Sequence, residues 1–146
     1  MSTELIFKRI LFYIVSFTWG SIMSVAGLLT TIIFLPFGKL GIYHGRIYTE
    51  IGENWGGLEL GCFFICCKNA TEELKAHEAG HGLQNCLWGP LFIFVIWIPS
   101  AIRYQYREWL RNHDIEKYNQ LPPYDSIWFE GQATKWGLKY VSTDKI

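Results

Sequence analysis

The sequence has no surplus of either charge, with 13 basic side chains against 13 acidic ones. Nothing in that balance suggests a nucleic-acid binder, and no nucleic-acid partner is expected. It has no C-x-x-C spacing, which argues against a cysteine zinc site at Cys62, Cys66, Cys67 and Cys86. Two of these cysteines are neighbours and the others lie in apolar surroundings, so they read as small hydrophobes rather than a disulfide framework. Unpaired thiols fit a reducing compartment. Internal repeats and low-complexity segments are also missing, which excludes solenoids and linker-like chains. At 146 residues the chain has room for one domain with a modest core.

The longest absence is of charge itself. Residues 10–37 contain no charged side chain, Lys8 and Arg9 precede them, and Lys39 follows. About 20 apolar residues cross a bilayer as a helix, so this run is expected to be a transmembrane anchor. A signal peptide cut near Ala26 fits less well, because the apolar run continues past it and signal h-regions span only about 7–15 residues. The expected organisation is an anchor over 1–40 and a domain over 41–146, in an α+β membrane protein with the lipid bilayer as partner. Composition agrees: half the chain is apolar and 17% is aromatic, including seven Trp. A second uncharged run, 86–102, is shorter and interrupted by Pro90 and Pro99.

Between the two runs the patterning changes. Residues 42–51 and 58–67 are rich in β-branched and aromatic side chains, with a turn signal at 53–57, so a single β-hairpin is expected. Asn69 reads as an N-cap with Glu72 completing a capping box, opening a helix over 70–87 that Gly89-Pro90 breaks. Beyond 102 a helix places Ile102, Tyr106, Trp109, Leu110 and His113 on one stripe and Arg103, Arg107 and Arg111 on another, as at a membrane interface or in an amphipathic helix packed on the domain. Pro122-Pro123 ends it. A last helix over 125–136 is expected to be capped by Asp125 and stopped by Gly137.

The middle helix contains "LKAHEAGHGLQ". Residues four apart on a helix stand one turn above each other, so His77 and His81 can address one ion. Glu78 lies beside them, placed to take a proton from a metal-activated water. A third ligand is needed, and "WFEGQATKWG" offers Glu130. Ala133 would allow the last helix to pack closely on the first, and the Thr134 hydroxyl could orient a ligand histidine. The cofactor expected is Zn2+. Candidate donors to an oxyanion are Tyr118, Tyr124, His113 and Tyr140, and the sequence does not choose among them.

H-E-x-x-H on one helix and E-x-x-A on a later one resembles the gluzincin zinc metallopeptidases, in particular the membrane-bound M48 type related to CAAX-processing and HtpX-like proteases. The resemblance spans residues 55–137. It implies peptide hydrolysis with Glu78 as general base and His77, His81 and Glu130 as ligands. It also implies an edge strand before the active helix that binds the substrate backbone, here 58–67 with Leu58, Leu60, Cys62 and Phe64 on one face. Those enzymes usually have Asp where this chain has Thr134, and they are much longer. Three ligands on one ion require 86–102 not to cross the bilayer cleanly, so that run is expected to be re-entrant or packed along the domain. Basic residues and thiols together point to a bacterial-type inner membrane with the domain facing the cytoplasm. Rival readings are a non-catalytic adaptor or inhibitor with a structural zinc, a metal-free membrane protein, and a lipid or ester hydrolase.

Overall fold

A computed structural model describes residues 3–142. The chain is α+β, with six α-helices and a four-stranded sheet among the described residues. The expected continuous anchor is instead two helices, α1 (Thr3–Phe17) and α2 (Ser21–Phe34), meeting at 96°. The break has a local cause. A side chain at Gly20 would collide with Asn85, whose amide donates to the Gly20 carbonyl, and the Ser24 hydroxyl donates to the Ser16 carbonyl at 2.8 Å. Among the described residues no single helix is long and apolar enough to cross a membrane. Two bent pairs pass that test together, the second joining 72–91 to 93–113 at 117°.

The strands also depart from expectation. β1 (Lys39–Tyr43) and β2 (Arg46–Glu50) form one tight hairpin, and β3 (Gly57–Leu60) and β4 (Phe63–Cys66) form another. The first turn holds His44 and Gly45 at φ 45 and 82, the left-handed pair that a two-residue hairpin favours. The second turns on Gly61 at φ 78. β2 and β4 then pair in parallel, giving the order β1-β2-β4-β3 with β3 at an edge. Residues 58–67 are therefore two strands, and the turn splits the expected face. Leu58 and Leu60 stand beside Ile65 and Phe63, and pack with Met23, Phe92 and Phe129. Phe64 joins the opposite cluster with Tyr43, Ala76 and Val141, and Cys62 lies buried in the turn.

Helix α3 (Glu72–Trp88) is capped by Thr71, which accepts from the Leu74 N–H, and not by Asn69, whose φ of 60 places it in a preceding turn. After a 3-10 turn at Gly89–Leu91 and a π turn at Ile93–Trp97 comes α4 (Ile98–His113), then α5 (Ile115–Asn119). Of the stripe, Ile102, Tyr106 and Trp109 are exposed while Leu110 is buried. Arg103 and Arg107 face inward, donating to the main-chain carbonyls of Tyr124 and Pro122 respectively, so they pin the loop before the last helix. That helix, α6 (Trp128–Trp136), starts after a 3-10 turn at Tyr124–Ser126 with no side-chain cap. The Asp125 cap is thus not made. Gly137 does not stop the chain either, which continues as a π turn through Val141. Cys62, Cys66, Cys67 and Cys86 are all free thiols.

Candidate metal centre

Glycine and alanine on α3 and α6 let the two backbones touch. A Cβ built on Gly80 would lie 1.9 Å from the Ala133 carbonyl oxygen, and one on Gly137 would lie 1.8 Å from that of Ala76. This crossing delivers Glu130, fully buried, to the face of α3 that presents His77 and His81. The Nε2 atoms of both histidines are 3.1 Å from Glu130 Oε2 and 3.1 Å from each other. Three ligand atoms thus form a nearly equilateral triangle that could hold a metal ion. Tetrahedral zinc, with bonds of about 2.0–2.1 Å, sets its ligand atoms about 3.3 Å apart, so the triangle needs only a small adjustment.

The far side of each ring fixes which nitrogen faces the triangle. The Gln84 amide donates to the Phe129 carbonyl at 2.8 Å and to Gln132 Oε1 at 2.9 Å, leaving its oxygen to accept from His81 Nδ1 at 2.7 Å. The Thr134 hydroxyl donates to the Glu130 carbonyl and so accepts from His77 Nδ1 at 2.9 Å. Hydrogen bonding assigns both rings the Nδ1–H tautomer. With both rings neutral, two Nε2 lone pairs and a carboxylate oxygen converge on one point and could hold a cation; with one ring protonated, its Nε2–H donates to Glu130 instead. Burial alone would raise the Glu130 carboxyl, but hydrogen bonds donated by His77 and His81 and the positive charge of a protonated His81 outweigh it and hold it well below the usual carboxylate range.

A cavity of about 720 Å³ opens on His77 and His81, walled by β3, α4 and the Tyr124 loop, with Glu130 buried behind them. Glu78 lines it, packed on Gly57 of the edge strand where any side chain would collide with its carboxylate. Burial pushes the Glu78 carboxyl up to about 7, with the Glu130 charge adding to the rise. Of the four candidate oxyanion donors only Tyr124 lines the cavity; burial pushes its phenol up to about 12, so it keeps its proton. His113 stacks on Trp109, Tyr118 lies under Arg107, and Tyr140 belongs to a second cavity. Leu58 also reaches the cavity, while Leu60, Cys62 and Phe64 do not line it.

Sequence reasoning missed Gln84 and Ser100. The first was legible as a polar residue three positions beyond His81, on the same helix face. Ser100 lies on α4, lines the cavity and is 3.4 Å from the Tyr124 hydroxyl, with no local pattern to announce it. Replacing Gln84 by leucine is expected to weaken metal retention about 10- to 100-fold, the usual effect of losing an orienting partner, whereas Gln84→Glu keeps the acceptor and most of the affinity. Competition with a chromophoric chelator measures both. No protein-family model, curated protein or solved structure matches the chain.

Proposed function

We propose that this protein is a membrane-embedded, zinc-dependent metallohydrolase, and specifically a peptidase. The observation that carries the proposal is the converging triangle of His77, His81 and Glu130 with Glu78 on the wall of the same cavity. Zinc bound there would supply a Lewis acid that makes a water nucleophilic near neutral pH. Glu78 accepts the proton of the attacking water and returns it to the leaving amine. A structural site has no need of such a buried base. Tyr124 offers its hydroxyl to charge developing on the substrate oxygen. The free side of β3 presents main-chain groups to an extended peptide, the mode of recognition that the metallopeptidase resemblance implies. The Thr134 hydroxyl contacts the ligand histidine where the family's Asp would; that substitution is the adaptor reading's best support, and the retained Glu78 is what favours catalysis over it.

Membrane seating is proposed from the exposed apolar helices. Phe7, Ile14, Ile32 and Ile33 on α1 and α2, with Phe94 and Ile102 near α4, stand open to the surroundings. We read α1, α2 and the exposed apolar face of 93–102 as dipping into one leaflet, with α3 and the catalytic domain on the cytoplasmic side. Apolar surface of that extent is covered by lipid more economically than by water.

The test compares wild type with Glu78→Gln in neutral detergent, reading zinc per chain and cleavage of a fluorogenic peptide library. Equal zinc with cleavage reduced about 10²- to 10⁴-fold, the range for a lost general base, is the expected result. Undiminished cleavage in Glu78→Gln would remove that residue from the chemistry, and folded wild type without zinc would end the hydrolase reading.

A further inference from the structure

The cavity that opens on His77 and His81 has two unlike ends. Glu73 lines it one turn before His77 on α3, about 6 Å back along the helix axis. Asp125, which caps no helix, lines it from the loop before α6. Its neighbour Tyr124 holds its ring 6.4 Å from that of His77. Both acids are exposed, and neither carboxylate meets a base among the described residues. No lysine or arginine lines the cavity. Lys75 pairs with Glu50 and Glu72, while Arg103 and Arg107 donate to carbonyls of the Tyr124 loop. A third acid, Glu59 of β3, also lines the wall; it is buried, and its Oε2 has no hydrogen-bond partner among the described residues. One more oxygen there stands open to a donor that a ligand brings.

The other end is apolar. Phe92 and Ile96 are buried and continue the wall with Leu58 and Trp97 on the His81 side. They pack with Phe129, whose carbonyl takes the Gln84 amide beside that histidine. The triangle therefore stands between a carboxylate mouth and an apolar floor. An extended peptide advances about 3.3 Å per residue, so the step from His77 to Glu73 spans about two residues. Two carboxylates on the walls of a cleft draw cations into it and turn anions away.

We infer that the substrate is a cationic peptide, with Glu73 and Asp125 as the residues that select it. An apolar side chain enters the pocket of Leu58, Phe92, Ile96 and Trp97. A cation within about two residues of the cleaved bond, on its other side, meets the two carboxylates. A lysine or arginine side chain supplies that cation, or the ammonium of a chain terminus does. The assignment rests on the peptidase reading of this cavity.

The experiment measures binding rather than turnover, by calorimetry on full-chain Glu78→Gln in neutral detergent with zinc supplied. The probes are N-acetylated, C-amidated alanine hexapeptides carrying one leucine and, two or three residues from it on either side, lysine, Nε-acetyl-lysine or glutamate. The lysine peptide is expected to bind about 3- to 20-fold tighter than its acetyl-lysine match, up to about fivefold for each exposed ion pair, with the glutamate peptide weakest. Added salt shrinks the difference. Adding Glu73→Gln and Asp125→Asn together is expected to bring lysine and acetyl-lysine peptides within about twofold of each other. If circular dichroism shows that variant unfolded, each single substitution replaces it, with a loss of about two- to fivefold expected. Equal affinity for the two peptides before substitution, or an advantage that survives it, overturns the proposal. Freeing the N-terminus of the acetyl-lysine peptide fixes the source of the cation: a gain equal to that of lysine assigns a chain terminus, and no gain assigns a side chain. Wild type that cleaves lysine and acetyl-lysine peptides with equal kcat/KM would keep the peptidase reading and end this one. A lysine preference in binding without any cleavage would do the reverse.

Discussion

Glu130→Gln is expected to lose zinc while leaving the metal-free protein as stable as wild type or more so. The two effects have opposite signs for one reason. Without a cation and with both rings neutral, the wild-type site holds two imidazole lone pairs and a carboxylate oxygen 3.1 Å apart, all acceptors. Glutamine keeps the shape of the side chain and introduces an N–H that can donate to one of the Nε2 atoms, relieving that repulsion. With zinc the sign reverses. If about 10–16 kcal/mol of binding is shared among four ligands, losing one anionic ligand costs about 3 kcal/mol, roughly a hundredfold in affinity or more. The rival view, a metal-free ion pair between a protonated histidine and Glu130, predicts the contrary in chelator. Removing one partner of a buried pair there costs about 3–5 kcal/mol. Thermal unfolding in EDTA and in zinc, on both proteins, separates the views. A lower melting temperature for Glu130→Gln in EDTA, with no zinc effect on wild type, would leave the two histidines without a metal role.

The parts of this centre that were legible in the sequence are those fixed by helical geometry. His77 and His81 are four apart, Glu130 and Thr134 are four apart, and each pair lies on one face whatever surrounds it. Ala133 was legible as a small residue at a helix crossing, and the crossing is as close as that reading required. What failed were features decided by distant contacts. The alternation Leu58, Leu60, Cys62, Phe64, Cys66 is uninterrupted in sequence, yet Gly61 and Cys62 form a two-residue turn that reverses the faces on either side. Parallel pairing of β2 with β4 has no local signature, because it depends on where the connecting segment returns the chain. The anchor misled for a similar reason. A lone Gly20 in an apolar run is weak punctuation, and the bend arises from Asn85 docking on it from 65 positions away. The helix cap moved from Asn69 to Thr71 because Asn69 takes the left-handed turn position that asparagine tolerates well.

Gly80→Ala is expected to destabilise the protein and to abolish stoichiometric zinc binding, although alanine is the better helix former. In an exposed helix the change would stabilise by about 1 kcal/mol. Here the added methyl meets the Ala133 carbonyl oxygen at 1.9 Å and its carbon at 2.7 Å. Those atoms are main chain within α6 and cannot rotate aside as a side-chain end would. Relief therefore requires α6 to retreat from α3, by about 1.5 Å if ordinary contact near 3.5 Å is to be restored. Overpacking of this kind typically costs about 1–3 kcal/mol, enough to cancel the gain in helix propensity and exceed it. The retreat also withdraws Glu130, whose Oε2 must stay near both Nε2 atoms for three bonds of about 2 Å to close on one ion. Gly82→Ala is the matched control. It carries the same propensity gain on the same helix, but its new methyl meets the Gly61 carbonyl at 3.0 Å, a contact relieved by a few tenths of an ångström. Gly82→Ala is accordingly expected to keep zinc and most of its stability. Equal zinc and equal melting temperatures in both variants would show that α3 and α6 do not meet backbone to backbone. The route by which Glu130 reaches the histidines would then be wrong, even if all three still bound the ion.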